Sequence, residues 1–554
     1  MKRILATLLA LAMLLSLSAA AMAENDTVTF MVDGGTSVYE PYLCPTLVGM
    51  LKVQDLANVT IDWKVQCGTN EENTKAYLAM MSSGNYPDII KWQHNNVYAG
   101  GISQLYNDGI AMALNDVIDQ YMPNYKAMLD SHPDIAKALK NDDGLYLYFT
   151  AINPLDTPVD RMGITWWGLM LRQDWMEAVG IEKAPETIEE WEELLVAFRD
   201  LDPNGNGLQD EIPFDAGSAG HLLFMGAYDI MNGIYINPET NAVGYGQYTQ
   251  NYKEYLETMN KWYSQGLIKN IYNEDGSLVG SDVVDQDIYA DLAGSMKALA
   301  NYWEQRLPQL LEKNPNANFE AVVWPYDANG QRFGGYGDFS YIDRVQTIIT
   351  TSCKNVEAAA RLLDTMFTPE GTDATVWGVM DGDPILQQPG NEWTKGEGTE
   401  FYKEEGNGSY YIDENGIKKN TAWGNAIVTD FYDGAFPNQF RYAMSHVSFP
   451  RLGGTDKNLS RDQNYIDASF LWSDCDFGLA FPSVIMLSVD EQKAAAPQLD
   501  EIGEYIEDMT RKFITGEEPL TNFDNYMDQL QKMGIEDLIA AYQAAYDRYL
   551  ARGN

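Results

Sequence analysis

Cysteine and histidine are both scarce in this 554-residue chain: Cys44, Cys67, Cys353 and Cys475 on one side, His94, His132, His221 and His446 on the other. Four cysteines allow two disulfides in any of three connectivities, with Cys44 and Cys67 the pair nearest in sequence. A chain of this length does not need such a framework to fold. The histidines stand apart, so no HExxH motif exists, and neither GxSxG nor a P-loop pattern occurs. Positive charge is short as well, with 37 basic residues against 81 acidic ones and a formal charge of −44. That field repels nucleic acid and anionic membranes, and it disfavours a polyanionic ligand unless basic groups gather locally. After residue 23 no segment approaches the ~18 apolar residues of a membrane span.

What is present begins with a secretory pattern. Lys2 and Arg3 precede the apolar run Ile4 to Leu17, and Ala21-Met22-Ala23 is a small-residue cleavage site before Glu24. No cysteine follows the cleavage site, so the expectation is free export without a lipid anchor. Removing residues 1–23 takes away two cations, and the charge becomes −46. The 531 residues that remain suffice for two or three domains, and 45% hydrophobic with 12% aromatic residues argues for packed cores.

Strand and helix signals alternate. Thr27 to Val32, Val59 to Gln66 and the segment through Ile89-Ile90 read as strands, with helices at Cys44 to Ala57 and Asn73 to Ser83. Alternation of this kind implies βαβ units and a mostly parallel sheet. A second α/β region opens with a strand at Leu169 to Gln173 and a short helix from Trp175 to Val179. Thr187 and Glu190 form a capping box, and the helix they open puts Ile188, Trp191, Leu195 and Phe198 on one face. Tyr252 to Gln265 is another helix, with Gly266 as its stop signal. Val345 to Thr350 reads as a strand returning to the first lobe, followed by a helix from Val356 to Phe367. Three further helices are expected at Leu499 to Ile514, Phe523 to Met533 and Glu536 to Tyr549.

The capped helix runs into Asp202-Pro203-Asn204-Gly205-Asn206-Gly207-Leu208-Gln209-Asp210-Glu211-Ile212-Pro213. Oxygen-bearing side chains alternate around a glycine, the arrangement by which a short loop wraps a hard cation such as calcium. Asp202, Asn204, Asn206, Asp210 and Glu211 are the candidate side-chain ligands, and Leu208 offers its carbonyl. The position where an EF-hand carries a closing bidentate Glu is Pro213, so Glu211 would serve instead. An ion-free Asx turn is the competing possibility, because the same residue types favour turns.

Ser83-Gly84-Asn85-Tyr86-Pro87-Asp88-Ile89 and Leu171-Arg172-Gln173-Asp174-Trp175-Met176-Glu177-Ala178-Val179-Gly180-Ile181 resemble stretches of the family 1 extracellular solute-binding proteins. Thr187 to Phe198, the Asp202 loop, Tyr263 to Ile268, Phe513 to Leu520 and the tail Met533 to Tyr549 continue the resemblance. These proteins are the ligand-capturing subunits of ABC importers. The resemblance implies an α/β, two-lobed periplasmic-binding-protein fold with a hinge and an interlobe ligand cleft, an ABC permease as partner, and no enzyme activity. The long, calcium-bearing branch that includes alginate-binding proteins is the nearest type, which implies a structural calcium on the six loop residues. The expected division is a signal peptide at 1–23 and an N-terminal lobe from 24–152 and 343–395. The C-terminal lobe takes 153–342 and 396–554.

A sugar cleft needs aromatic faces for the C–H side of a ring and polar groups for its hydroxyls. Candidates are Trp166, Trp167, Trp303, Tyr336, Trp377 and Trp472, lying beside crossings or in polar and glycine-rich surroundings, with Asn95 and Asn96 beyond the strand through Ile90. Trp175, Trp191 and Trp262 fall at core spacing. With the charge so negative, a neutral oligosaccharide suits the chain better than a polyuronate, and peptides stay open. The expected protein is a monomeric, exported carrier, periplasmic or extracellular, without affinity for nucleic acid. The competing classes are a secreted carbohydrate hydrolase, which needs two carboxylates roughly 5–10 Å apart, and an adhesion or sensory module.

Overall fold

The computed structural model describes residues 26–33, 48–162, 167–217, 219–300, 306–334, 342–343, 345–380, 383–387, 410–412, 418–420, 450–453, 463–482, 484–485 and 487–552. The expected signal segment 1–23 and Cys44 fall outside this set, and with Cys44 the Cys44–Cys67 pairing. Cys353 and Cys475 carry free thiols.

The first lobe is built on β1 (Asp26–Asp33), β2 (Val59–Gln66) and β3 (Ile89–Trp92), parallel and ordered β3–β1–β2. Val28, Phe30 and Val32 alternate into one face of β1 and are fully buried, the period-two pattern of a strand covered by helices. Helices Val48–Ala57 and Asn70–Ser83 make the crossovers. The second opens on a Thr69–Glu72 capping box and stops at Gly84, whose φ of +73° needs a residue without Cβ. The chain leaves this lobe through β4 (Ala151–Ile152), which pairs with Arg451–Leu452 from late in the sequence.

The second lobe holds β5 (Trp167–Arg172), β6 (Phe214–Asp215), the hairpin β7 (Ile234–Ile236) and β8 (Val243–Tyr245), then β9 (Ile268–Lys269), β10 (Ser295–Leu299) and β11 (Phe319–Val322). Its main sheet runs β11–β5–β10–β6–β9. The first sheet is mostly parallel, as expected, but this one is mixed: β5 is antiparallel to both neighbours, and only the β10–β6–β9 half is parallel. Helix Ile188–Asp200 starts on the expected Thr187–Glu190 box and buries Trp191, Leu194, Leu195 and Phe198, with Ile188 half-buried at its start. Trp175, Trp191 and Trp262 are all core residues.

β12 (Gln346–Ile349) then returns to the first sheet, antiparallel to β3 with Ile348 opposite Ile90. The last helices go back to the second lobe, where Ile502, Phe513, Phe523, Leu530 and Leu538 join Trp175, Trp191 and Trp262 in one apolar cluster. The first of these helices spans Val489–Thr515, ten residues earlier than the expected Leu499, from a Ser488–Glu491 capping box. It continues through Pro497, a residue that removes a helical donor and normally marks a boundary. No helix among the described residues is long and apolar enough to cross a membrane.

Candidate functional site

Ligands of open α/β sheets sit beyond the carboxyl ends of parallel strands. In the first lobe those ends carry a polar chain: the Asn73 amide donates to Asp33 at 2.9 Å, and the Gln66 amide donates to Asn73 at 3.4 Å. Beyond β3, His94 is fully buried, its Nδ1 2.6 Å from the Tyr77 hydroxyl. Burial pushes its pKa down to about 3, so it is neutral at physiological pH.

Asn95 and Asn96 lie in the one-turn helix His94–Val97 that follows β3. The Asn95 side-chain oxygen accepts from the Ile102 amide at 3.0 Å, and Asn96 donates to the Gln93 side chain at 2.7 Å. Trp167, at the start of β5, is half-buried with the Lys297 ammonium 4.7 Å from its ring centre. Lys297 is itself largely desolvated, which lowers its pKa to about 8. Trp472 and Trp377 are corrections. Trp472 is fully buried across Gly168, where an added Cβ would lie 2.1 Å from the indole, and its N–H donates to the Val322 carbonyl at 3.1 Å. Trp377 is 2% exposed. The polar and glycine-rich sequence around each misled, because a glycine distant in sequence makes the room for Trp472. Trp166, Trp303 and Tyr336 lie outside the described residues. Of the aromatic candidates within them, Trp167 alone keeps a partly open face.

The Asp202 loop joins helix Ile188–Asp200 to β6. Its side chains cap its own backbone: Asp202 accepts from the amides of Asn206 (3.1 Å) and Gly207 (3.0 Å), and Asn206 accepts from Leu208 at 2.7 Å. The Asn206 amide donates to Asp210 at 3.0 Å, and Asn204 ties the loop to the Asp291 carbonyl at 3.2 Å. Glu211 differs from the rest. It is 3% exposed, and neither carboxylate oxygen has a hydrogen-bond partner. Burial raises its pKa, with the nearby Asp202 and Asp210 charges adding to the effect. Among the described residues no three His, Cys, Asp or Glu side chains gather closely enough to hold a metal ion. The unpartnered Glu211 carboxylate among two other acids nevertheless fits a hard cation, with Asn and carbonyl oxygens completing the donor set.

Two carboxylate arrangements escaped the sequence reading because their members meet only in space. Arg172, fully buried, donates to both oxygens of Asp174 (2.8 and 2.6 Å) and to Asp291 (2.6 Å), and lies against the Trp175 ring. Asp215, also fully buried, shares the Asn270 amide with Asp287 at 3.1 and 2.7 Å, and burial raises its pKa to about 7. A groove of about 1100 Å³ on the second lobe is lined by Glu189, Glu192, Glu193, Asp229, Glu254 and Asp327 among others. Its Asp229–Asp327 pair is in hydrogen-bond contact, which raises the pKa of Asp229 to about 7 together with burial. Carboxyls that touch leave no room for a glycosidic bond, which needs a gap of roughly 5 Å or more.

Two lobes, each an α/β sheet, with the chain passing from one to the other and back, define the class of two-lobed solute-binding proteins. The family model described as bacterial extracellular solute-binding protein matches residues 55–373, and the chain belongs to that family. Membership places it outside the cytoplasm, as an exported periplasmic or extracellular protein. The chain is 23% identical to the fructooligosaccharide ABC transporter substrate-binding protein FusA of Streptococcus pneumoniae, over 96% of this chain and 92% of FusA. It is 26% identical to the polygalacturonan/rhamnogalacturonan-binding protein YtcQ of Bacillus subtilis, over 43% of this chain and 44% of YtcQ. Its fold matches FusA in complex with kestose at a TM-score of 0.67 and 20% identity, covering 95% of this chain and all of that one. An EF-hand mutant of FusA with fructo-nystose matches at 0.66 and 20% identity, over 95% and 100% of the two chains. The alginate-binding protein AlgQ2 without calcium ion matches at 0.63 and 18% identity, over 95% and 99%.

Proposed function

We propose that the protein is the substrate-binding subunit of an ABC importer, capturing a neutral oligosaccharide between its lobes and delivering it to a membrane permease without chemical change. The observation that carries this is the two-sheet, crossing architecture shared with FusA over almost the whole of both chains. The relatives' ligands include both neutral and acidic glycans, and the net negative charge favours a neutral one here. The lobes are 24–152 with 343–395, and 153–342 with 396–554; the return of β12 to the first sheet supports that division. Residues 1–23 serve as the export signal. Trp167 supplies an aromatic face to the sugar, and Trp166, Trp303 and Tyr336 are proposed as further ligand contacts. Closure of both lobes on the sugar stabilises the closed state because each lobe contributes contacts.

A structural calcium occupies the Asp202 loop, held by Asp202, Asn204, Asn206, Asp210, Glu211 and the Leu208 carbonyl. The orphaned Glu211 carboxylate supports this. Bound calcium supplies positive charge that pins the helix end to β6; the loop's own side chains set its shape through their bonds to the Asn206, Gly207 and Leu208 amides.

The test is thermal shift with kestose, neutral and acidic oligosaccharides, and peptides. Kestose at a hundred times its dissociation constant adds about 2.7 kcal/mol of stability. A response to peptides with none to sugars overturns the substrate, and cleavage of the sugar overturns capture without chemistry.

A further inference from the structure

The C-terminal helix Ile535–Ala551 begins in the second lobe, where Ile535 and Leu538 are part of its core. Its middle, Ala545 and Tyr546, packs with Ile236 and Val243 of the β7–β8 hairpin. Its last turn does something else. Tyr549 packs partly into the first lobe's apolar cluster, and Lys137 of the first lobe donates to the Leu550 carbonyl at 3.1 Å while lying over the Tyr549 ring. Arg552, 10% exposed, reaches Asp142 at 2.8 and 3.0 Å and the Lys140 carbonyl at 2.6 Å. Arg548 faces both ways: it donates to Asp142 at 2.8 Å and grips both oxygens of Glu491 at 2.7 and 2.6 Å. Glu491 is pinned in turn, because it closes the capping box of helix Val489–Thr515 on Ser488.

Isolated surface ion pairs contribute little, but bidentate geometry within a network is the case in which they contribute more. Asp142 is the first-lobe end of this network, Glu491 the second-lobe end, and Arg548 the link. Beside it lies a pocket of about 200 Å³ lined by Tyr106, Leu139, Leu147, Tyr148, Val484 and Leu487 among others. The lobes are therefore tied here by directional polar contacts beside a pocket.

We propose that Arg548 and Arg552 are positioning residues for ligand capture: with Asp142 and Glu491 they clasp the two lobes at one edge and make it the pivot about which the cleft closes. The proposal rests on closure around a solute as the mode of binding. Free of the clasp, the lobes sample more orientations, and binding must offset that added disorder.

The test compares wild type, R548A/R552A and D142A, each full length and carrying paramagnetic labels on non-natural residues at exposed Lys75 and Glu257, one in each lobe. Without ligand, the double variant should show a broadened interlabel distance distribution, and D142A, a change at a partly exposed loop residue, an intermediate one. Kestose affinity should fall about tenfold in the double variant, with R548K/R552K recovering part of it. A distribution as narrow as wild type in both R548A/R552A and D142A overturns the clasp, even if melting temperature falls. Because the distances are measured without sugar, failure of kestose to bind counts against the oligosaccharide, while the width of the distribution still decides for or against the clasp.

Discussion

Two neighbouring places in the second lobe handle negative charge in opposite ways. At Arg172 the cation is a side chain: Asp174 and Asp291 close around a fully buried guanidinium, and Asn314 donates to Asp291 at 3.2 Å. At the Asp202 loop, tied to the backbone of that same Asp291, the Glu211 carboxylate lies near the Asp202 and Asp210 charges without a hydrogen-bond partner, and the nearby Lys269 ammonium donates to the Glu211 carbonyl instead. A buried charge set that contains its own counter-ion is complete once the chain has folded. One whose carboxylate is left without a direct partner depends on what the surroundings supply, and its stability becomes a function of solution composition.

The sharpest way to break the contrast is R172M. It should leave Asp174 and Asp291 without their cation and lower unfolding free energy by about 3–5 kcal/mol in denaturant titration, with or without calcium. A loss below 1 kcal/mol would show that the network contributes little. Chelation acts on the other site alone: removing calcium held at a hundred times its dissociation constant should cost about 2.7 kcal/mol. D202A should show the chelated melting temperature at any calcium level, whereas R172M should keep its calcium response. An unchanged melt on chelation, with no calcium by elemental analysis, leaves an ion-free turn.

The smallest effect concerns a third carboxylate arrangement, Asp215 beside Asp287, where burial raises the pKa of Asp215. The folded pKa of Asp215, about 7, lies above its unfolded value, so its contribution to stability is present at low pH and is lost as pH rises through 7. D287N removes the neighbouring charge and leaves an oxygen for the Asn270 amide. The difference in melting temperature between D287N and wild type should therefore grow from pH 5 to pH 8; a constant difference would count against the raised pKa.

The elements that were legible in the sequence are those whose determinants are local. Thr187 and Glu190 sit three residues apart and announce a helix start; Asp202 to Glu211 spell a loop. The strands of the first lobe were legible because each carries its own apolar pattern. The antiparallel half of the second sheet was not, since β5 and β11 look the same whichever way their neighbour runs. The aromatic candidates divide on the same line. Trp472 reads as a surface residue until Gly168, some three hundred positions earlier, is brought against it. Arg548 and Asp142 are 406 residues apart, and nothing in either neighbourhood points to the other.

The contact between Gly168 and Trp472 also bears on how the molecule comes to be folded. The indole that covers β5 belongs to helix Gln463–Ser473, and the helices that complete the same core come later still. A chain emerging from its N-terminus would hold the second sheet half-covered until its final hundred residues arrive, and contacts of such sequence separation close slowly. For an exported protein that delay is useful. A core that closes only with the last helices leaves the chain without a complete second lobe until nearly all of it has been made.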